Sequence, residues 1–316
     1  MILRVRNHGR LRRWERLRAA WEPLLLEVLA GGEGAEALMA QVAPRERILF
    51  VEFLFGFAKR VRGRELNTLG ELARPFLPLV AARTRHRKGG SRARSVQILG
   101  TLGLPEYEGH VAAALDDPSP VVAMVATQSL TRTGRVDLLG PVLARLDRFR
   151  TWRRPYLSGM LARMGSGAVP FLRSTLADPG QDSSVRSVAA DALLELPDPS
   201  VAETAAQVAE EVRDPGLLLA CLKLLAKVGT GVHRSAVLAL VESSHFAVRS
   251  YALKALGALG GPEDLPVLEA GLNDPSPWVA LEAARALRAM GSTGRLEALA
   301  ILEGPRAALA REVLAG

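Results

Sequence analysis

The sequence predicts an all-α protein, a right-handed α-solenoid in which about seven helical hairpins of 31–32 residues follow degenerate N-terminal capping helices. Three observations predict it. The segment Val248–Gly260, VRSYALKALGALG, recurs with starts at Ser91, Val122, Arg153, Val185, Leu217, Val248 and Val279, in steps of 31, 31, 32, 32, 31 and 31 residues. Eight residues after every start stands a leucine: Leu99, Leu130, Leu161, Leu193, Leu225, Leu256 and Leu287. Twelve after, the pattern stops at Gly103, Gly134, Gly165, Pro197, Gly229, Gly260 and Gly291.

Offsets 0, 4, 8 and 11 share one face of a helix with 3.6 residues per turn, so each copy is an amphipathic helix. The small residue usual at offset 4 (Ser95, Ala126, Ala189, Cys221, Ala252, Ala283) lets neighbouring helices approach, while Leu157 breaks the rule. Glycine just past the face is expected in the left-handed conformation that ends a helix. A second apolar set follows, as in Leu265, Leu268 and Leu272 or Leu296, Leu299 and Leu302, so each unit is two helices. One hairpin cannot bury both faces, and stacked neighbours can. The tetrapeptide Asp-Pro-Ser-Pro occurs at Asp117–Pro120 and at Asp274–Pro277, in the same turn of the second and seventh repeats. There Asp and Ser are expected to take free helix N-terminal amides and Pro to set the entry.

These residues resemble the HEAT repeat family, especially its bacterial members, whose hallmark is an Asp-Pro turn followed by Val-Arg-x-x-Ala-x-x-x-Leu-Gly. Val248-Arg249, Val185-Arg186 and the turns at Asp117, Asp178, Asp214 and Asp274 carry the resemblance. Ala123, Leu218 and Ala280 stand where the family has Arg, so its Asp–Arg ladder is expected to be incomplete. The organisation expected is a basic N-terminal set of helices over residues 1–87, an array over 88–304 and a closing helix over 305–316. Within the first part, helices are expected over Arg10–Leu29, from Pro44 to about Val61, over 64–73 and over 75–87. The cluster Phe50, Phe53, Phe55 and Phe57 is expected to be the core of this cap, with a docking face as the alternative.

Charge is uneven. The chain carries a net +8, yet residues 1–94 hold 20 Lys and Arg against 9 Asp and Glu, which leaves −3 for the rest. The first 18 residues carry seven Arg and one acid. Arg4, Arg6, Arg10, Arg12, Arg13, Trp14, Arg16, Arg18 and Trp21 are therefore the candidates for contact with an anionic membrane surface or an acidic partner. Bacterial HEAT proteins with a membrane helix and a basic connector before the array are similar, which implies a cytoplasmic protein tethered or peripheral to the inner face of the membrane. The run from Arg83 to Lys88, with Arg92 and Arg94, is expected to neutralise a helix C-terminus.

Chemistry is harder to place. One cysteine excludes a disulfide scaffold, and five histidines without i,i+3 or i,i+4 pairs give no metal site. Cys221 holds a packing position, and Ser166 and Ser292 sit in interhelical turns. No cofactor, metal or catalytic residue is expected, and the protein is expected not to be an enzyme. What remains is the face expected to be concave, with one residue per repeat at offset 6: Gln97, Gln128, Gly159, Asp191, Lys223, Lys254 and Arg285. Tyr156, Tyr251, Lys227 and Arg288 lie beside that stripe. Its basic end predicts recognition of an acidic segment of a partner protein. Some HEAT-like solenoids similar to this one are alkylpurine DNA glycosylases with a concave Asp, and that resemblance would assign the role to Asp191 with Tyr156 and Trp152. The array's charge of −3 weighs against nucleic acid. Phycobilin lyases are also similar, without a recognisable chromophore site here.

Overall fold

The computed structural model describes residues 2–132, 134, 136–149 and 152–315, with side chains from residue 12 onward. The described residues are helical or irregular, with no strand among them. The chain divides into two compact units, Met1–Thr133 and Gly134–Gly316.

In the first unit the helix Ile2–Leu29 (α1) precedes Arg47–Ala58 (α2), Gly63–Ala73 (α3), Gly89–Leu102 (α4) and Pro120–Arg132 (α5), with short helices and 3-10 turns between. The proline at 44 opens a 3-10 turn, and α2 starts three residues later. Trp21 and Leu25, one turn apart on α1, are fully buried. Trp21 meets Phe50 edge-on at 5.1 Å and lies 5.5 Å from Phe53, while Phe50 meets Phe76 edge-on at 5.8 Å. Phe50, Phe53 and Phe55 are buried and Phe57 is half-buried, so the phenylalanine cluster is core. Trp21 is corrected accordingly: it faces the core and has no surface to offer a membrane. Arg94 and Lys59 lie over the Phe55 ring at 4.3 and 4.4 Å, so part of the basic excess is spent on covering an aromatic face.

The second unit alternates first helices, Arg154–Ala162 (α6), Ser183–Leu194 (α7), Pro215–Val228 (α8), Phe246–Leu259 (α9) and Pro277–Ala289 (α10), with shorter second helices such as Val201–Glu211. Consecutive first helices pack on one another, and Pro305–Ala315 (α11) packs on α10. The leucines eight residues after each start, which act as the ruler of the repeat, are buried at Leu161, Leu193, Leu225, Leu256 and Leu287. Gly257 explains the closest approach here: a Cβ on it would stand 2.5 Å from Ala286 Cβ, so α9 and α10 meet without a side chain between.

The turns depart from expectation in an instructive way. Gly103, Gly134, Gly165 and Gly291 have positive φ; Gly103 is the left-handed cap expected, whereas Gly165, with ψ −172°, takes an extended conformation open to glycine. Gly229 and Gly260 lack the positive φ; their values are −69° and −80°. Gly260 is demanded by space instead, since a Cβ there would collide with Asp264 Oδ2 and come within 2.6 Å of Leu256 O.

Both Asp-Pro-Ser-Pro turns are built alike. Asp117 and Asp274 each accept the N–H of the serine two residues on, at 2.8 Å, by one carboxylate oxygen. Each also takes two hydrogen bonds from an arginine 25 residues earlier: Arg92 to Asp117 at 2.7 and 2.8 Å, Arg249 to Asp274 at 2.8 and 2.9 Å. Ser276 makes no side-chain cap, so the aspartate alone satisfies the turn amide. Among the described residues other offset-1 and turn residues pair differently. Asp214 caps the Leu217 amide, while Arg186 donates to the Leu176 carbonyl.

Candidate functional site

Along α8, α9 and α10 the offset-6 residues Lys223, Lys254 and Arg285 are half-buried or exposed, and Tyr251 and Glu282 at offset 3 reach the surface beside them, while Ala220 at offset 3 of α8 is buried. Tyr251 lies between two ammonium groups, Lys223 Nζ at 5.3 Å and Lys254 Nζ at 5.6 Å from its ring centroid. Each such contact stabilises by about 0.5–1 kcal/mol at an exposed site. Neither lysine has a carboxylate partner among the described residues. Arg285, one repeat further, is paired with Glu282 at 2.7 Å.

The surface between α9 and α10 is a trough. Its end nearer the helix starts is a pocket of about 500 Å³ lined by Phe246, Tyr251, Lys254, Trp278, Leu281 and Arg285, among others. A second depression of about 300 Å³ continues it over Lys254, Gly257, Ala258 and Ala286. A third, of about 510 Å³, lies between Arg285, Arg288 and Glu312. The first two share Lys254, Glu282 and Arg285 between α9 and α10, while the third lies between α10 and α11, with Arg285 at its border. Trp278 is 65% exposed and Phe246 49%, both on the first pocket. Sequence reasoning missed these two. A signal existed, because both stand just before the repeat's start, in the first turn of their helices and outside the buried offsets.

The other expected site residues are distributed differently. Gln97 and Gln128 belong to the first unit, half-buried on α4 and α5. Lys227 is not a groove cation: its Nζ donates to the Leu194 carbonyl at the end of α7. Arg288 likewise donates to the Val313 carbonyl in the last turn of α11. Both neutralise a neighbouring helix terminus. Asp191 is held by Arg154, whose Nε donates to its Oδ2 at 2.5 Å, and its Oδ1 is buried without a hydrogen-bond partner. Trp152 and Tyr156 stack on each other at 5.8 Å. Cys221 is buried, and desolvation pushes its thiol up to about 12, which keeps this sulfur protonated at neutral pH.

At the N-terminal end, Arg4, Arg6 and Arg10 lie outside the described side chains. Arg12 and Arg16 are exposed, Trp14 is half-buried, Arg13 is bonded to Glu46 at 3.0 Å, and Arg18 forms an ion pair with Glu22 at 2.8 Å. Arg92 is committed to Asp117, and through two further bonds to the carbonyls of His86 and Arg87. Among the described residues no helix is long and apolar enough to cross a membrane, and no group of acidic, histidine or cysteine residues could hold a metal ion.

The family model described as HEAT repeats matches residues 202–288 and 235–315. No curated protein matches in sequence. Among solved structures, the karyopherin Kap121p bound to the SUMO protease Ulp1p is similar with a TM-score of 0.56 and 12% identity, over 94% of this chain and 41% of that one. Kap121p bound to Pho4p matches with a TM-score of 0.53 and 13% identity, over 89% of this chain and 38% of that one. The chain thus spans about two fifths of the length of these karyopherins. Human deoxyhypusine hydroxylase matches at a TM-score of 0.35 and 17% identity, over 79% of this chain and 99% of that one, a level that carries no argument.

Proposed function

We propose, from the premise that the chain is a HEAT-like repeat protein, that it works as a non-catalytic scaffold binding an acidic segment of a partner protein along α8, α9 and α10. One observation carries this reading: Tyr251 sits between Lys223 and Lys254, two ammonium groups that no carboxylate of the protein neutralises among the described residues. Unpaired cations on one face raise the on-rate and the selectivity for a segment of opposite charge. The karyopherin structures it resembles are complexes with protein partners, Ulp1p and Pho4p, which agrees with a binding role. Asp191 favours the scaffold over base excision, because Arg154 binds one of its oxygens and the other is buried away from any groove. Contact of the N-terminal end with an anionic membrane surface rests, among described side chains, on the exposed Arg12 and Arg16.

A displayed random-peptide library tests the groove. The protein is expected to enrich sequences rich in Asp and Glu. The double variant Lys223→Glu, Lys254→Glu is expected to lose at least about tenfold in affinity for them, since like charges now face each other. Selection of the same peptides with unchanged affinity by the variant would overturn the proposal.

A further inference from the structure

Charge alone does not account for the pocket at the start of the trough. Its wall holds three aromatic side chains, Phe246, Tyr251 and Trp278, with Leu281 beside them. Two of these are among the few large apolar groups the protein leaves in water. Exposed tryptophan beside an apolar cavity is the composition of an interface hot spot rather than of a solvated helix face. The first two depressions together are lined by residues of α9 from Phe246 to Ala258. The helix α9 has 14 residues, about 21 Å of axis at 1.5 Å each. An extended peptide covers that length with about six residues at 3.3 Å each.

We infer that the pocket of Phe246, Tyr251 and Trp278 is an anchor site: it takes one aromatic or large aliphatic side chain of an extended acidic peptide, whose carboxylates lie further along the trough toward Lys254 and Arg285. The inference rests on the acidic-segment reading above and adds the anchor, the extended form and the direction. The peptide's apolar side chain enters against Trp278, whose exposed ring loses water only when something covers it. The following acidic residues meet Lys254, which borders both the first and the second depression, and Arg285, which borders all three. Glu282 and Arg285 are paired and offset each other, so Lys254 is the cation that the first carboxylates meet. The close approach at Gly257 and Ala286 keeps the floor of the second depression free of large side chains, which suits a backbone lying there.

The probe is a synthetic hexapeptide, Trp-Ser-Asp-Glu-Asp-Glu, labelled with fluorescein at its C-terminus, together with the analogue in which Ser replaces the Trp. Fluorescence anisotropy with the full chain at about 150 mM salt, where exposed charges are already screened within about 8 Å, reads the affinities. The anchored peptide is expected to bind about tenfold more tightly than its analogue, the loss that truncating a hot-spot residue brings. Trp278→Ala and Phe246→Ala are expected to abolish that difference while leaving the analogue's affinity unchanged. Both side chains are exposed, so unchanged thermal midpoints confirm that the variants fold. Lys254→Glu is expected to weaken both peptides. Equal affinity for the two peptides, or no effect of Trp278→Ala, overturns the anchor and leaves the acidic-segment reading standing. Failure of both peptides to bind overturns both. Competition by N-acetyltryptophan amide at the same concentration as the whole peptide also overturns the inference, because the pocket is then a small-molecule site.

Discussion

Asp264 has no exposed surface, yet two observations keep it charged. Arg234 donates to both of its oxygens, at 2.7 and 2.8 Å from Nε, and the Gly261 amide donates to Oδ2 at 3.0 Å. The Arg234 hydrogen bonds hold its carboxyl below the usual aspartate range against the opposing cost of burial, and Arg249 does the same for Asp274. A carboxyl whose folded value is depressed stabilises the fold above its unfolded value, near pH 4, and that stability is lost as pH falls through the folded value. Asp264→Asn is therefore expected to lower the thermal midpoint by a few degrees at pH 7, and to make the decline between about pH 5 and 2 shallower than in the parent. Equal slopes in the two acid titrations, followed by circular dichroism, would contradict this. Single residues were legible where the ruler touched them: Cys221 and the seven leucines are buried as expected. Asp264 was not, because a buried ion pair between two second-helix turns leaves no periodic trace.

At the level of elements, the hairpins follow from amphipathic spacing, whereas their ends follow from two different causes. Gly291 has φ +74° and open space where a Cβ would stand, so Gly291→Ala is expected to cost about 1–2 kcal/mol, the penalty of the left-handed region. Gly260 has an ordinary φ but no room, with Asp264 and the Leu256 carbonyl in the way. Gly260→Ala is expected to cost more than Gly291→Ala, since it displaces a carboxylate bound by Arg234. Urea denaturation midpoints of the two variants decide it, and the reverse order would refute the steric account. Pattern alone writes the same letter for both turns, so it suggests a single cause where there are two. The same limit applies to Lys227 and Arg288: a sequence stripe counts charge and cannot tell a free cation from one spent on a neighbouring helix end.

For the molecule as a whole, the repeat register was legible from Ser91 onward because leucine and alanine recur there at fixed offsets. The first unit was less so, since its core is aromatic and built by Trp21, Phe50, Phe53 and Phe76 at irregular spacing. The groove was half legible: its cations fell on the stripe and Tyr251 beside it, while Trp278 and Phe246 were not picked out. The second unit, Gly134–Gly316, carries its own buried core and the whole groove. Residues 134–316 expressed alone are expected to be helical, to unfold cooperatively and to bind the anchored acidic peptide within about twofold of the full chain, as compact units with separate cores do. A fragment that folds but fails to bind would show that the groove needs something from the first unit.

The two Asp-Pro-Ser-Pro turns have one more consequence. Arg249 and Asp274 lie 25 residues apart, so both partners of the clamp fall inside a single repeat length. A gene segment encoding residues 246–276 is therefore a self-sufficient cassette: a tandem duplication would bring the arginine, the aspartate and the serine amide together, with Ser276 followed by Phe246 as its one new junction. It would also bring Phe246, Tyr251 and Lys254. Growth of such an array by copying lengthens the binding trough in the same event that adds the hairpin, so the reach of the scaffold is open to change by recombination rather than by point substitution.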